Sequence, residues 1–437
     1  MKLDTKRTVL IGFGFMSILA FWQFYDQVIP HLLENVFGLR TFTTNAIMSI
    51  DNVSSLILLP LFGTLSDKTR SPLGRRTPYI LFGTLAAVAL MGVLAAATAK
   101  TSFPLFFAAL LALLITMSTY RSPAVAYMPD VTPKPLRSKA NAIINLVGYI
   151  GGIFSTLMMM VLLRSEKNAD GSSQYAADQS FTPIFVVVAV FMLVSVLIMV
   201  LTTHENKLVE RTRKEVEASE SVGAVQVKKG EKLPPAVFRS LIFILLSVFL
   251  WYMAYNAVTT AFSRYCVAVW GADLSTSSGY LMCATVVAIL SFVPLGMLSS
   301  KAGRKATIYV GISLMTVCYL SACFITSQTP VMYLLFGLVG IGWAAINVNS
   351  FPMVVEMSAA GDTGKYTGYY YAFSMAAQIC TPLLSGLLID NLGLGYRVLF
   401  PYAVVFSLLA ALTMTQVRHG DSKPLARQAA LDALAND

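Results

Sequence analysis

Three charged residues, Asp26, Asp51 and Arg121, stand inside long apolar runs. A charge near the middle of a membrane span costs about 2.5–3.5 kcal/mol on insertion scales, so one that persists there faces a cavity or a partner rather than lipid. Asp26 lies about seven residues before the end of its run and Asp51 about seven after the start of the next, so both stand at a comparable depth from the outer ends of two successive spans. Two carboxylates at one depth could share a proton, and its arrival or departure could be coupled to a second event. Structural alternatives stand beside each reading: for Asp51 a packing or gating hydrogen bond with Asn52 or a neighbouring helix, and for Asp26 a polar helix end that also carries Gln23, Gln27 and Glu34. For Arg121 the alternative is a tie to Asp130 or to backbone carbonyls.

A second set of residues could meet a hydroxylated ligand, because aromatic faces pack on sugar C–H surfaces while amides and hydroxyls meet the OH groups. Asn141, Asn145 and Tyr149 recur every four residues. Trp251, Tyr255, Asn256 and Thr259 form another stripe, as do Trp343, Asn347 and Ser350, and Tyr370, Ser374 and Gln378. Each can share one helical face. Together with Trp22 and Gln23 beside Asp26, they nominate Trp22, Gln23, Asn145, Tyr149, Tyr255, Asn256, Trp343, Asn347 and Gln378 as substrate-binding residues. Asn145, Asn256 and Asn347 carry most weight, since an amide without a partner is costly in hydrocarbon. For any single stripe the alternative is helix packing, which uses the same residue types.

Such residues need elements to hold them, and the composition specifies which. Of 437 residues, 56% are apolar and 12% charged, with a mean hydropathy of +0.68. A water-soluble domain carries about a quarter charged residues, so that class is excluded. Apolar runs cover 8–33, 44–65, 79–99, 103–128, 140–163 and 182–203, and then 236–262, 276–298, 306–326, 329–352, 365–388 and 397–417. Each is long enough to cross a bilayer core of about 30 Å as a helix. Six spans, a break and six spans imply an all-α polytopic membrane protein with an N-terminal bundle over 1–203, a cytoplasmic linker over 204–235 with one amphipathic helical stretch, a C-terminal bundle over 236–417 and a cytoplasmic tail over 418–437.

The net charge of +10 raises the question of nucleic acid, and its distribution answers it. With both termini placed in the cytoplasm, 25 of the 32 Lys and Arg fall inside and 6 outside, leaving Arg121 within a span. The positive charge is thus topological, and no basic stripe remains to suggest a nucleic-acid partner. The first run follows Lys2, Lys6 and Arg7 but is too long for a signal peptide and contains Asp26, so it reads as an uncleaved span. The 5 cysteines form no Cys-x-x-Cys pair and read as small core residues, and the 3 histidines are scattered. No metal, cofactor or catalytic constellation is expected, so an enzyme is disfavoured.

The two halves echo one another. Gly63-Thr-Leu-Ser-Asp67-Lys68 with Gly74-Arg75-Arg76 closes span 2, and Gly296-Met-Leu-Ser-Ser300-Lys301 with Gly303-Arg304-Lys305 closes span 8. Asp130 precedes Lys139 by nine residues, and Glu356 precedes Lys365 by nine. These echoes imply parallel repeats, an arrangement whose substrate site lies between halves near the midplane. The segment from Gly63 to Arg76 resembles the loop signature of the major facilitator superfamily. That resemblance implies twelve helices in two pseudo-symmetric six-helix bundles. It makes Gly63, Asp67, Gly74, Arg75, Arg76, Asp130 and Glu356 a conformational latch, with Asp67 accepting from a helix N-terminus or an arginine.

Pro60-Leu-Phe-Gly63, Pro78-Tyr79-Ile80 and Tyr120-Arg121-Ser122-Pro123 running to Asp130 look like the plant sucrose–proton symporters and their animal and bacterial relatives, within the glycoside, pentoside and hexuronide cation symporter group. The resemblance implies proton-coupled uptake of a sugar, taken here as a sucrose- or maltose-like glycoside, in a bacterial plasma membrane, with Arg121 matching the family's arginine. The intramembrane charges themselves make Asp26, Asp51 and Arg121 the expected proton-coupling residues, and a monomer is the expected working unit. Two departures qualify it. The plant carriers' helix 4 aspartate is replaced here by an apolar run around Leu110, and the melibiose-type sodium carriers' carboxylates are replaced by Ser55 and Leu59 before Pro60. An exporter of drugs or metabolites is the alternative reading.

Overall fold

The computed structural model describes residues 3–163, 165–167, 173–175, 179–219, 233–271, 274–358, 362–391 and 393–421. Linker residues 220–232 and the tail beyond Asp421 lie outside these. The helices are α1 (Thr5–His31), α2 (Thr41–Met48), α3 (Ile50–Lys68), α4 (Thr77–Ala99), α5 (Phe103–Asp130), α6 (Arg137–Leu162), α7 (Thr182–Thr202), α8 (Glu205–Ser219), α9 (Pro235–Trp270), α10 (Leu274–Ala302), α11 (Arg304–Ala322), α12 (Val331–Glu356), α13 (Thr363–Gly386) and α14 (Leu399–Thr415). Among the described residues, twelve helical stretches are long and apolar enough to cross a membrane, one for each run in the sequence. Large apolar side chains such as Ile57, Val161, Leu201, Leu290 and Leu412 lie exposed, the inverse of a water-soluble surface.

Three local features depart from plain spans. The second span breaks at Ser49, between α2 and α3, which places Asp51 in the first turn of α3. The amphipathic stretch of the linker forms as α8. A two-stranded antiparallel hairpin pairs Ser165–Lys167 with Ser173–Tyr175 between α6 and α7. The cysteine expectation needs correction: Cys266 and Cys318 are buried, whereas Cys283 and Cys323 are half-buried and Cys380 is exposed.

The chain divides into two compact units. The first contains Asp4–Val131 and Ile143–Lys214; the second is built from the described residues of Met1–Leu3, Thr132–Ala142 and Glu215–Asp437. Within the first, α1 packs on α7, α4 on α5 and α7, and α3 on α5. Within the second, α9 packs on α14, α11 on α12 and α14, and α10 on α12. These four pairings map onto each other, so the repeat read from the loop motifs extends to the packing of these helices.

Close packing in the first unit depends on Gly151 of α6. A Cβ there would collide with the backbone carbonyl of Met16 on α1, and one turn on, Ser155 Oγ donates to the Ala20 carbonyl at 2.7 Å. Backbone cannot yield as a side chain tip can, and overpacking costs about 1–3 kcal/mol. Gly151→Val is therefore expected to lower the melting temperature of detergent-solubilised protein followed by intrinsic fluorescence. Gly92→Val, where nothing lies within 4 Å, leaves it unchanged.

Candidate functional site

In the first unit, α1, α3 and α5 bring the intramembrane charges together. Arg121 lies over the Trp22 ring, 5.2 Å from its centroid, and Trp22 meets Tyr25 edge to face at 5.3 Å. Asp26, Asp51 and Arg121 lie within electrostatic reach of one another, and both carboxylates within reach of Tyr25. Asp26 is exposed and Asp51 half-buried. Trp22 Nε1, Tyr25 OH, Asp51 Oδ1 and Asn52 Oδ1 are buried without a hydrogen-bond partner. Leaving such a group unmatched costs about 1–3 kcal/mol, so a cluster of them marks a place where water or a polar ligand belongs. Tyr25 is an addition to the residues nominated from sequence; its position one residue before Asp26 was its only signal. Gln23, Asn145 and Tyr149 are half-buried in this unit, with Gln23 alongside Gly152 of α6.

In the second unit, α9 and α12 build an aromatic plate. Tyr255 stacks on Trp343 with centroids 3.7 Å apart and planes 3° from parallel, and Tyr252 meets the same indole edge to face at 5.1 Å. Asn256 Nδ2, next to the plate, is buried without a partner. Asn347 and Gln378 are half-buried, and Ser350 bonds the Tyr370 hydroxyl at 3.0 Å. Asn141 is structural, since its amide donates to the carbonyls of Asn347 at 3.1 Å and Val348 at 3.0 Å. That bidentate tie explains the amide at the start of its stripe without a ligand.

The motif residues form a third site. Arg76, fully buried, pairs with Asp67 and bonds Ser66, and its Nε reaches Asp130 at 2.8 Å. Arg75 holds the other oxygen of Asp130 at 2.6 Å. Burial alone would lower the Arg76 pKa, but Asp130 and Asp67 hold the guanidinium above its ordinary value. Asp67 thus accepts from an arginine. The helix N-terminus is met instead by Glu205, the first residue of α8, whose carboxylate accepts from the backbone N–H groups of Arg75 at 2.9 Å, Arg76 at 3.0 Å and Thr77 at 2.9 Å, and from the Thr77 hydroxyl at 2.8 Å. Gly74 has φ +112°, and a Cβ there would occupy the place of the Glu205 carboxylate. The glycine therefore serves the cap and the left-handed turn.

The second unit repeats this plan. Gly303 has φ +95°, and Asp421 accepts from the Arg304 N–H at 2.7 Å. Arg304 reaches Glu356 at 2.9 Å and the Ser138 hydroxyl at 2.9 Å, and Arg137 joins Glu356 at 3.4 Å. Neither Glu205 nor Asp421 was nominated from sequence, although each is an acid shortly after the last span of its half. Losing an N-cap costs about 0.5–2 kcal/mol, and more donors than usual depend on Glu205. Glu205→Ala is therefore expected to lower the melting temperature more than Glu210→Ala, whose exposed carboxylate pairs with Lys214 on the helix surface.

A helical membrane protein with a repeated packing plan, charges gathered within its spans and repeated basic loop motifs fits the class of membrane transporters. The chain belongs to the Major Facilitator Superfamily, whose family model matches residues 8–361 and 288–433. That family and the structural neighbours are transporters, not enzymes. The alpha-ketoglutarate permease of Escherichia coli strain K12 is 28% identical over 130 residues, which span 30% of this chain and 29% of that permease. Among solved structures, the fold is similar to FucP, the E. coli fucose:proton symporter, in its outward conformation (TM-score 0.67, 14% identity, 94% of this chain and 98% of that one). It is similar also to the proton:xylose symporter XylE (TM-score 0.65, 15% identity, 98% of each chain). A bacterial homologue of the iron transporter ferroportin has TM-score 0.69 at 12% identity, covering 95% of this chain and 99% of that one. At these identities the likeness concerns the fold.

Proposed function

We propose that this protein imports an uncharged glycoside, of disaccharide size, together with a proton by alternating access. The observation that carries the reading is the group of buried, unpartnered polar atoms on Trp22, Tyr25, Asp51 and Asn52 beside Asp26 and Arg121, a setting that offers both hydrogen bonds for hydroxyl groups and titratable carboxylates. The Tyr255 and Trp343 plate with Asn256 supplies the stacking face and amide that sugars favour. The sugar:proton symporters among the structural neighbours agree with it. Proton coupling is assigned to Asp26, Asp51 and Arg121, and substrate contact to Trp22, Gln23, Asn145, Tyr149, Tyr255, Asn256, Trp343, Asn347 and Gln378. Gly63, Asp67, Gly74, Arg75, Arg76, Asp130 and Glu356 act as the conformational latch. The two six-helix bundles run over 1–203 and 236–417, with both termini cytoplasmic in a bacterial plasma membrane and the monomer as the working unit.

A second reading, a carrier of an organic acid, draws on the local similarity to the alpha-ketoglutarate permease and on the cationic Arg121 within a span. Purified protein in proteoliposomes separates the two. Uptake of a labelled disaccharide only under an imposed proton gradient supports the first, and uptake of labelled 2-oxoglutarate with no sugar uptake replaces it by the second.

A further inference from the structure

The second unit contains a cavity of about 150 Å³ that the assignments above touch only through Tyr255. Its walls come from four helices: Tyr255 and Thr259 of α9, Leu281 and Thr285 of α10, Tyr319 of α11 and Phe336 of α12 are its principal residues. No charged side chain lines it. Tyr319 is 1% exposed and its hydroxyl has no hydrogen-bond partner. An interior hydroxyl left unmatched is unfavourable, so the cavity calls for a polar occupant.

The size and chemistry of the walls narrow the choice. A cavity of this volume takes a molecule about the size of benzene, so the space suits a small water cluster or the body of one six-membered ring, and it is too small for a drug-sized ligand, whose pockets run to about 300 Å³ and more. The lack of charged side chains disfavours an organic anion, since a carboxylate taken out of water needs a counter-charge. Thr259 and Thr285 donate to carbonyls of their own helices, Thr259 to Tyr255 at 3.2 Å and Thr285 to Leu281 at 3.0 Å. Their oxygens remain acceptors, while Tyr319 can both donate and accept. Leu281 and Phe336 present apolar surface for C–H faces. Tyr255 belongs to this wall and to the Trp343 stack, so the cavity adjoins the aromatic plate.

We infer that this cavity is a subsite for one uncharged pyranose or furanose ring, the second ring of a disaccharide, with Tyr319 as its hydrogen-bonding residue. The inference rests on the reading of the chain as a glycoside carrier and adds to it a means of preferring two rings over one. The test is calorimetric binding to purified full-length protein with maltose, sucrose and lactose as probes, and glucose, the ring common to all three, as reference. Wild type is expected to bind at least one disaccharide more tightly than glucose. Tyr319→Phe, which removes only a hydroxyl without a partner, and Thr285→Phe, which fills the cavity from an exposed position, are each expected to weaken that disaccharide about tenfold and to leave glucose within twofold. Equal weakening of both sugars, no weakening, or a wild type that prefers glucose overturns the subsite and leaves the carrier reading standing. Binding of none of the four sugars to wild type overturns the glycoside reading and the subsite with it.

Discussion

Asp51→Asn is expected to reduce sugar uptake from accumulation to equilibration. In proteoliposomes with an imposed proton gradient, the internal sugar concentration of the variant should level off at the external value, while exchange of labelled for unlabelled sugar continues. The driving force at stake is large: the membrane potential supplies about 2.3 kcal/mol per charge per 100 mV, equivalent to a concentration ratio of about fiftyfold. An amide keeps the size and much of the hydrogen bonding of the carboxylate but cannot release a proton, so it removes coupling without removing the binding surface. Asp51 is preferred to Asp26 because its Oδ1 is buried without a partner, whereas Asp26 is exposed. Asp26→Asn should show the smaller loss. The decisive readout is sugar-induced alkalinisation of the external medium, measured with each variant separately. If both variants still concentrate sugar against its gradient, coupling does not reside in either carboxylate.

The break at Ser49 gives Asp51 its setting, and no residue type announced it. Ser and Asn are unremarkable within a span, and a run of 22 apolar-rich residues over 44–65 reads as one helix. The spans themselves were legible because burial in lipid imposes a composition that no other environment does. The repeat was legible because Gly-Arg pairs after spans 2 and 8 are rare enough to align. What could not be read was which acid meets which base. Asp67 and Glu205 are both compatible with a helix N-terminus, and only the placement of the first residue of α8 at the start of α4 assigns the cap to Glu205 and Arg76 to Asp67. In sequence, Glu205 looks like one more solvated charge in a linker of mixed charge. Arg121 and Trp22 were both nominated, for different roles, and their contact joins residues in different helices that no periodicity links. The Tyr319 hydroxyl gave no signal, since a tyrosine in an apolar helix is ordinarily packing.

Arg76→Ala is expected to be the most destabilising single change in the first unit. Its side chain is 0% exposed, and the side chains of Asp67 and Asp130 are 3% and 1% exposed. Removing one partner from a buried ionic group leaves the other charge uncompensated, at a cost of about 3–5 kcal/mol. Here two carboxylates lose their shared counter-charge, with Arg75 left to Asp130 alone. Arg75→Ala makes the control: its side chain is 22% exposed, and a partly hydrated ion pair contributes about 1 kcal/mol or less. Thermal denaturation followed by fluorescence-detected size exclusion should place Arg76→Ala far below Arg75→Ala. Replacing the three most deeply buried charges, as Arg76→Met with Asp67→Asn and Asp130→Asn, should recover much of the loss, because the one charge that then loses its carboxylate, Arg75, has a side chain 22% exposed and can turn to water. The pH dependence separates this cause from others. The Arg76 pKa is raised in the folded protein, so its contribution to stability is complete below the ordinary arginine value and is lost only as pH rises through the folded value. The gap between wild type and Arg76→Ala should therefore persist from neutral to moderately alkaline pH. A gap that closes over that range would mean that a group other than this guanidinium holds the loop.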